Sequence, residues 1–236
     1  MRIARSGMCS RRAAEQLIHD ARVTVNGELV VEMGVKVGPE DEIAVDGIPI
    51  GVAKLYTVVL NKPKGVVTTL SDPQGRQTIT KFLPDLGVQL KPVGRLDMDT
   101  EGLLVCTNDG ELANRLAHPR YGVEKEYQTI VEGIPDEKEL NKLRNGLWIE
   151  GGKTSPAQVD VIHAEPTTNT TGLRITIHEG RKRQVRLMCE AIGHPVISLK
   201  RLRYGPLRIK GMRSGEARML GVAEVEELRR LVGLAH

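Results

Sequence analysis

Between Gly94 and Leu104 the chain reads GRLDMDTEGLL, setting Arg95, Asp97, Asp99 and Glu101 within seven residues and running at once into Leu103, Leu104 and Val105. A carboxylate that close to a buried strand costs free energy unless it is paired or used. Used, it can attack as a nucleophile, accept a proton or stabilise a developing positive charge. On spacing alone, capping the turn after Gly94 and Arg95 is the stronger reading of Asp97. Asp99 and Glu101 read as loop-holding or solvent-facing.

Two further groups have types suited to chemistry. EGRKRQVRLMCEAIG places Arg181, Lys182, Arg183 and Arg186 at the start of a helix, where side-chain cations and backbone N–H groups both attract phosphate. Tyr127, in EKEY, falls on an alternating strand, where packing and function are equally plausible. His118, His163, His178 and His194 lack paired metal-ligand spacing and read as loop or turn residues. Cys9, Cys106 and Cys189 form no CxxC pair, so neither a metal site nor a disulfide framework is expected.

Charge points to the partner. The formal net charge is only +4, but Arg174–Arg213 carries eleven Lys or Arg against Glu179 and Glu190, and residues 1–22 carry five arginines against Glu15 and Asp20. Two separated basic runs suit a polyanion gripped in two places. Aromatic residues are only 3%, too few for a protein that reads single strands by stacking, so phosphate and shape are the expected grip. No apolar run reaches a membrane span and no signal peptide is evident, so a soluble cytoplasmic protein is expected.

The elements that must position these residues follow from periodicity. Ser10 caps a helix over RRAAEQLIHD, and Asn26-Gly27 and Asp46-Gly47 turn two short hairpins. YTVVLNKPKGVVTT reads as strand, turn, strand. Helices are expected over GELANRLAH, DEKELNKLRNG, RKRQVRLMCEAIG and Val222–Val232. KEYQTIVEG, AQVDVIHAE, GLRITIHEG and Val196–Leu202 read as strands. Strands outnumber helices without regular alternation, which predicts α+β with a mixed, mostly antiparallel sheet flanked by helices. The expected domains are 1–50, small and RNA-binding, and 51–236, larger and carrying the candidate chemistry.

Residues 1–50, with SRR opening a helix and VTVNG following, resemble the S-four (alpha-L) RNA-binding module. This copy begins several residues later than most, so either a weakened grip or a misassigned start is expected. GRLDMDTEGLLVCTNDGELANRLAHP, then KEY, then EGRKRQVRLMCEAIGHPV resemble, in that order and over nearly the whole chain, the pseudouridine synthases that modify bacterial ribosomal RNA. The resemblance is to the branch with an S-four module and a GRLD signature.

That resemblance implies a set of roles. Asp97 becomes the catalytic carboxylate, attacking C1′ or C6 of uridine or removing a ribose proton. Arg186 pairs with Asp97 and keeps it ionised, and Tyr127 packs on the target base and assists the proton step at C5. Lys62, in NKPKG, is structural or faces RNA. Arg95 wedges near the flipped base or meets a phosphate. Arg5, Arg11, Arg12, Arg22, Arg181, Lys182 and Arg183 are expected on RNA, while Leu187 stands where relatives often carry another basic residue. No cofactor or metal is implied. The resemblance favours 23S over 16S rRNA as partner, and a monomer without an obligate protein partner. Two rivals remain, a non-catalytic RNA-binding protein and a nucleoside hydrolase or glycosylase.

Overall fold

The computed structural model of the chain describes residues 2–38, 40–51 and 53–234, and only the backbone of Arg5. The expected RNA contact of the Arg5 side chain therefore lies outside the described residues. The chain divides into two compact units. One holds residues up to Leu55 with 85–89 and 108–110, and the other holds the remainder.

In the first unit a one-turn helix, α1 (Arg2–Arg5), precedes α2 (Arg11–His19). The Ser10 hydroxyl accepts a hydrogen bond from Ala13 N at 3.1 Å, the cap its position predicts. Strands β1 (Val23–Val25), β2 (Glu28–Val30), β3 (Ile43–Val45) and β4 (Ile48–Pro49) form an antiparallel sheet in the order β2-β1-β3-β4. Both hairpins turn through residues of positive φ, Asn26-Gly27 and Asp46-Gly47, which matches the twist of the flanking strands. Ile3, Ala14, Val23, Ile43 and Val45 close the core. Sequence periodicity missed α1, which is too short to display any.

The second unit comprises, in chain order, β5 (Thr57–Lys62), β6 (Lys91–Pro92), β7 (Glu101–Thr107), α3 (Gly110–Ala117), β8 (Lys125–Glu132), α4 (Glu137–Asn145), β9 (Trp148–Ile149), β10 (Gly152–Lys153), β11 (Gln158–Glu165), β12 (Thr170–Ile177), α5 (Gln184–Ala191), β13 (Val196–Tyr204), β14 (Leu207–Arg208), β15 (Ala217–Met219) and α6 (Val222–Leu231). A nine-stranded sheet runs β11-β12-β8-β13-β7-β5-β15, with β6 beside β7 and β14 beside β13. Its pairs are antiparallel except β13 with β7, so the chain is α+β with a mixed sheet, as expected. The central strands β5 and β7 read as continuous apolar runs because both faces are covered, and Val58–Leu60 and Leu103–Cys106 are wholly inaccessible. His163 lies within β11 rather than in a loop.

The expected strand after Pro63 and Gly65 does not form. β5 is already flanked by β7 and β15, so a returning strand has no free edge, and the segment makes one isolated bridge, Val67 to Thr78.

The parallel join of β7 and β13 depends on Gly102. It faces Arg201 in register at a φ of +113°, and a Cβ there would lie 2.3 Å from the Arg201 carbonyl oxygen. Gly102→Ala should therefore lower unfolding free energy by about 2 kcal/mol or more, from strain and forced separation of the strands. Denaturant unfolding checks this, and a variant as stable as the parent would refute the close approach.

Candidate active site

The loop between Gly94 and β7 is held from several sides. Gly94 turns it at a φ of +68°. Thr68 Oγ1 donates to the Leu96 carbonyl at 2.6 Å, and Gly65 N donates to that of Met98 at 2.7 Å. Thr100 N donates to the Asp97 carbonyl at 3.0 Å, closing a four-residue turn. Beneath it lies Lys62, the last residue of β5. Its Nζ donates to the carbonyls of Pro63 (3.0 Å), Asp97 (3.1 Å) and Thr100 (2.8 Å). Leu96 and Thr100 are buried, and between them Asp97 is half-buried.

Lys62 has no accessible surface, so it cannot meet RNA, and the alternative of an RNA-facing lysine is corrected. Burial pulls its ammonium pKa down to about 8, and of the carboxylates that oppose this Asp97 counts most, ahead of Asp99 and Glu101. The buried cation nearest the Asp97 backbone is therefore Lys62.

Arg186 is buried in α5, and its expected pairing with Asp97 is also corrected. Its Nη2 lies 3.2 Å from Asp99 Oδ2 and donates to the Asp99 carbonyl at 3.0 Å. The turn at 97–100 sends the two aspartates different ways, Asp97 to the cavity below and Asp99 to Arg186 and to Arg183 at 3.5 Å. Asp99 does hold the loop, as its spacing suggested, and Glu101 meets Lys200 at 3.1 Å.

Asp97 lines a cavity of about 520 Å³, within the range that buries a small organic ligand. Among the described residues it is the only carboxylate on that lining. Arg95, Lys182 and Arg183 stand exposed around it, and Arg181 is half-buried. Arg181 is held by the carbonyls of Gly151 (3.0 Å) and Lys153 (2.5 Å) and by Glu179 at 3.4 Å, so it is partly structural. Tyr127, from β8, is 8% exposed on the cavity wall. In the first unit Arg11 and Arg12 are exposed on α2, whereas Arg22 is engaged twice by Asp46 at the second hairpin turn.

Two cavity residues escaped the sequence analysis, Lys125 and Arg201. Both are buried on inward faces of strands. The only signal was alternation. Lys125 shares the face of Tyr127, Thr129 and Val131, all buried.

Two predictions test this arrangement. If Lys62 clamps the loop, Lys62→Met should slow turnover on the order of 100-fold by misplacing Asp97, while RNA affinity holds. Its folded-state pKa of about 8 lies below the ordinary 10.5, so the unfolded chain holds the proton across that interval and stability should rise from pH 8 towards pH 10.5. Lys62→Met should remove part of that rise in denaturant titrations. Lys62→Met with undiminished turnover would discard the clamp. If Arg186 works through Asp99, a double-mutant cycle of Asp99→Asn and Arg186→Met, read in single-turnover rates, should show coupling of about 0.5–3 kcal/mol. Additive losses would remove the pair.

Comparison with known proteins identifies the family. Residues 56–191 match the model of the RNA pseudouridylate synthase family, and residues 1–43 match the S4 domain. The chain is 46% identical to the ribosomal large subunit pseudouridine synthase B of Bacillus subtilis, over 97% of this chain and 94% of that protein. It is 43% identical to an uncharacterized RNA pseudouridine synthase of Aquifex aeolicus, over 99% and 94%. A crystal structure of a pseudouridylate synthase superposes with a TM-score of 0.69 at 30% identity, covering 96% of each chain. A cavity with one carboxylate amid cations and tyrosines, and a family match over more than half its length, place the chain in the RNA pseudouridylate synthase family.

Proposed function

We propose that the protein isomerises a specific uridine of ribosomal RNA, in the 23S molecule, to pseudouridine, with Asp97 as the catalytic carboxylate. The observation that carries this reading is Asp97 as the single carboxylate, among the described residues, on a cavity lined also by cations, tyrosines, apolar side chains, Thr100 and Gln184. The name of the Bacillus subtilis relative supports the large-subunit RNA as substrate.

The reaction breaks the bond from C1′ to N1, turns the uracil and joins C5 to C1′; C5 then loses a proton and N1 gains one. Electrons balance within the substrate, so the chemistry needs no cofactor. Asp97 meets the electron deficiency at C1′, adds at C6 or removes a ribose proton, while Tyr127 packs on the base and serves the proton step at C5. Arg186 is a positioning residue, acting through Asp99 on the loop that carries Asp97. Residues 51–236 carry this chemistry and residues 1–50 grip RNA through Arg11 and Arg12. Arg95, Lys182 and Arg183 take phosphates around the cavity, offsetting the few kcal/mol needed to flip a stacked uridine. The protein works in the cytoplasm as a monomer, without an obligate protein partner.

Mapping pseudouridine in 23S and 16S rRNA after incubation with the protein tests the reading. One new pseudouridine is expected in 23S, and Asp97→Asn should reduce its formation by at least about 10⁴-fold with RNA affinity retained. Release of free uracil would instead make the protein a glycosylase. Binding without conversion would leave only an RNA-binding protein.

A further inference from the structure

We infer that Lys125 and Arg201 form a cationic floor that takes up the negative charge developing on the uracil ring during rearrangement. The inference rests on the uridine-isomerising reading and adds two residues to it.

The geometry is a cross-strand patch. Lys125 lies opposite Tyr204, and Tyr127 opposite Arg201, on the antiparallel pair β8 and β13. All four side chains line the cavity. Lys125 is 6% exposed and Arg201 3%. Both cations stand over the Tyr204 ring, at 5.6 and 5.1 Å.

Neither cation has an ion-pair partner among the described residues, and the nearest carboxylate acting on Lys125 is that of Glu179. By contrast, Arg181 has Glu179 and Arg183 has Asp99. Lys125 Nζ reaches only the His178 carbonyl, at 3.5 Å. Arg201 gives Nε to the Leu103 carbonyl at 2.7 Å and Nη1 to the Tyr127 hydroxyl at 3.4 Å. Its Nη2 is buried without an acceptor. Burial and the neighbouring Arg201 charge lower the Lys125 pKa to about 8, which leaves it protonated at neutral pH. Two unpaired buried cations cost several kcal/mol in the empty site. Leucine or methionine would pack either position without that penalty, so the charges answer to something that enters the cavity.

What enters is a base that becomes an anion. If the bond from C1′ to N1 breaks first, its electron pair passes to N1 and spreads onto O2 and O4. If Asp97 adds at C6, the pair of the C5–C6 double bond moves through C4 onto O4. Loss of a ribose proton expels the same uracil anion. Each route loads the ring carbonyl oxygens, and each returns the ring to neutrality once C5 has joined C1′, C5 has lost its proton and N1 has gained one. Donors fixed in a water-poor pocket stabilise such charge more than water does. The floor and Asp97 then divide the work by sign, with cations for the base and the carboxylate for the ribose. RNA phosphates have their own cations in exposed Arg95, Lys182 and Arg183.

The test compares Lys125→Met and Arg201→Met with the parent protein in single-turnover assays on 23S rRNA, alongside RNA affinity and thermal unfolding. Each variant should lose about 10²–10³-fold in rate, the loss typical of removing one donor to a developing oxyanion, with RNA affinity unchanged. Lys125→Arg should recover part of that loss. On RNA carrying 5-fluorouridine, read as loss of N-linked nucleoside, the deficit of Lys125→Met should shrink, because the fluorine itself stabilises the ring anion. Should Arg201→Met fail to fold, Lys125→Met decides alone. Rates near the parent's, a deficit unchanged by fluorine, or a loss of RNA affinity as large as the loss of rate would each overturn the inference. A parent protein that forms no pseudouridine would instead sink the functional reading.

Discussion

The site depends on one buried ammonium. Lys62 ends a strand with no exposed residue, and its Nζ binds three carbonyls that belong to two separate stretches of chain, Pro63 on one side and Asp97 and Thr100 on the other. Burying that charge is unfavourable, which is why its pKa falls to about 8. In return a loop that could fray is drawn onto the sheet at Asp97 and Thr100. The bond goes to the backbone of Asp97, so Lys62 holds the loop without engaging the carboxylate by a hydrogen bond, and its charge still acts on it.

Charge sorts by depth around that loop. The exposed Arg95, Lys182 and Arg183, the half-buried Asp97 and the buried Lys125 and Arg201 all line the cavity. Arg186 belongs to neither set. It reaches the loop from α5, gripping Asp99 through side chain and backbone, with Asp99 Oδ1 and its own Nε left without partners. The loop is therefore fixed by two cations from different elements, and neither consumes the Asp97 carboxylate.

Much of this was legible in the sequence. Caps and turn dipeptides marked α2 and both hairpins because their chemistry is local: Ser10 meets Ala13 three residues on, and Asn26-Gly27 needs no distant partner. The GRLD stretch announced a loop over a buried strand because Leu103–Val105 is apolar without interruption. The rest needed the third dimension. Asp97 and Asp99 are two residues apart, and only the turn closed by Thr100 tells which one meets Arg186. Lys62 reads as either structural or RNA-facing at a strand end, yet it binds the carbonyls of Asp97 and Thr100 and has no accessible surface. Lys125 and Arg201 carry charge on faces that alternation only hints are inward, and it takes the folded sheet to show that both are buried and that β8 and β13 bring them to one patch. The false strand after Gly65 has the same root, since pattern cannot say that β5 already has two neighbours.

These pieces meet at one joint. Gly102 lets β7 approach β13 so closely that Arg201 can pass Nε to the carbonyl of Leu103, the next residue along β7. The strand that carries the Asp97 loop is thereby bonded to the strand that carries the floor. Because β7 and β13 run parallel here, the loop preceding β7 and the inward side chains of β13 are presented at the same end of the sheet. An antiparallel pairing would reverse β7 and carry Asp97 to the opposite end. The single parallel contact in an otherwise antiparallel sheet is thus what brings a carboxylate and a buried guanidinium to the lining of one small cavity.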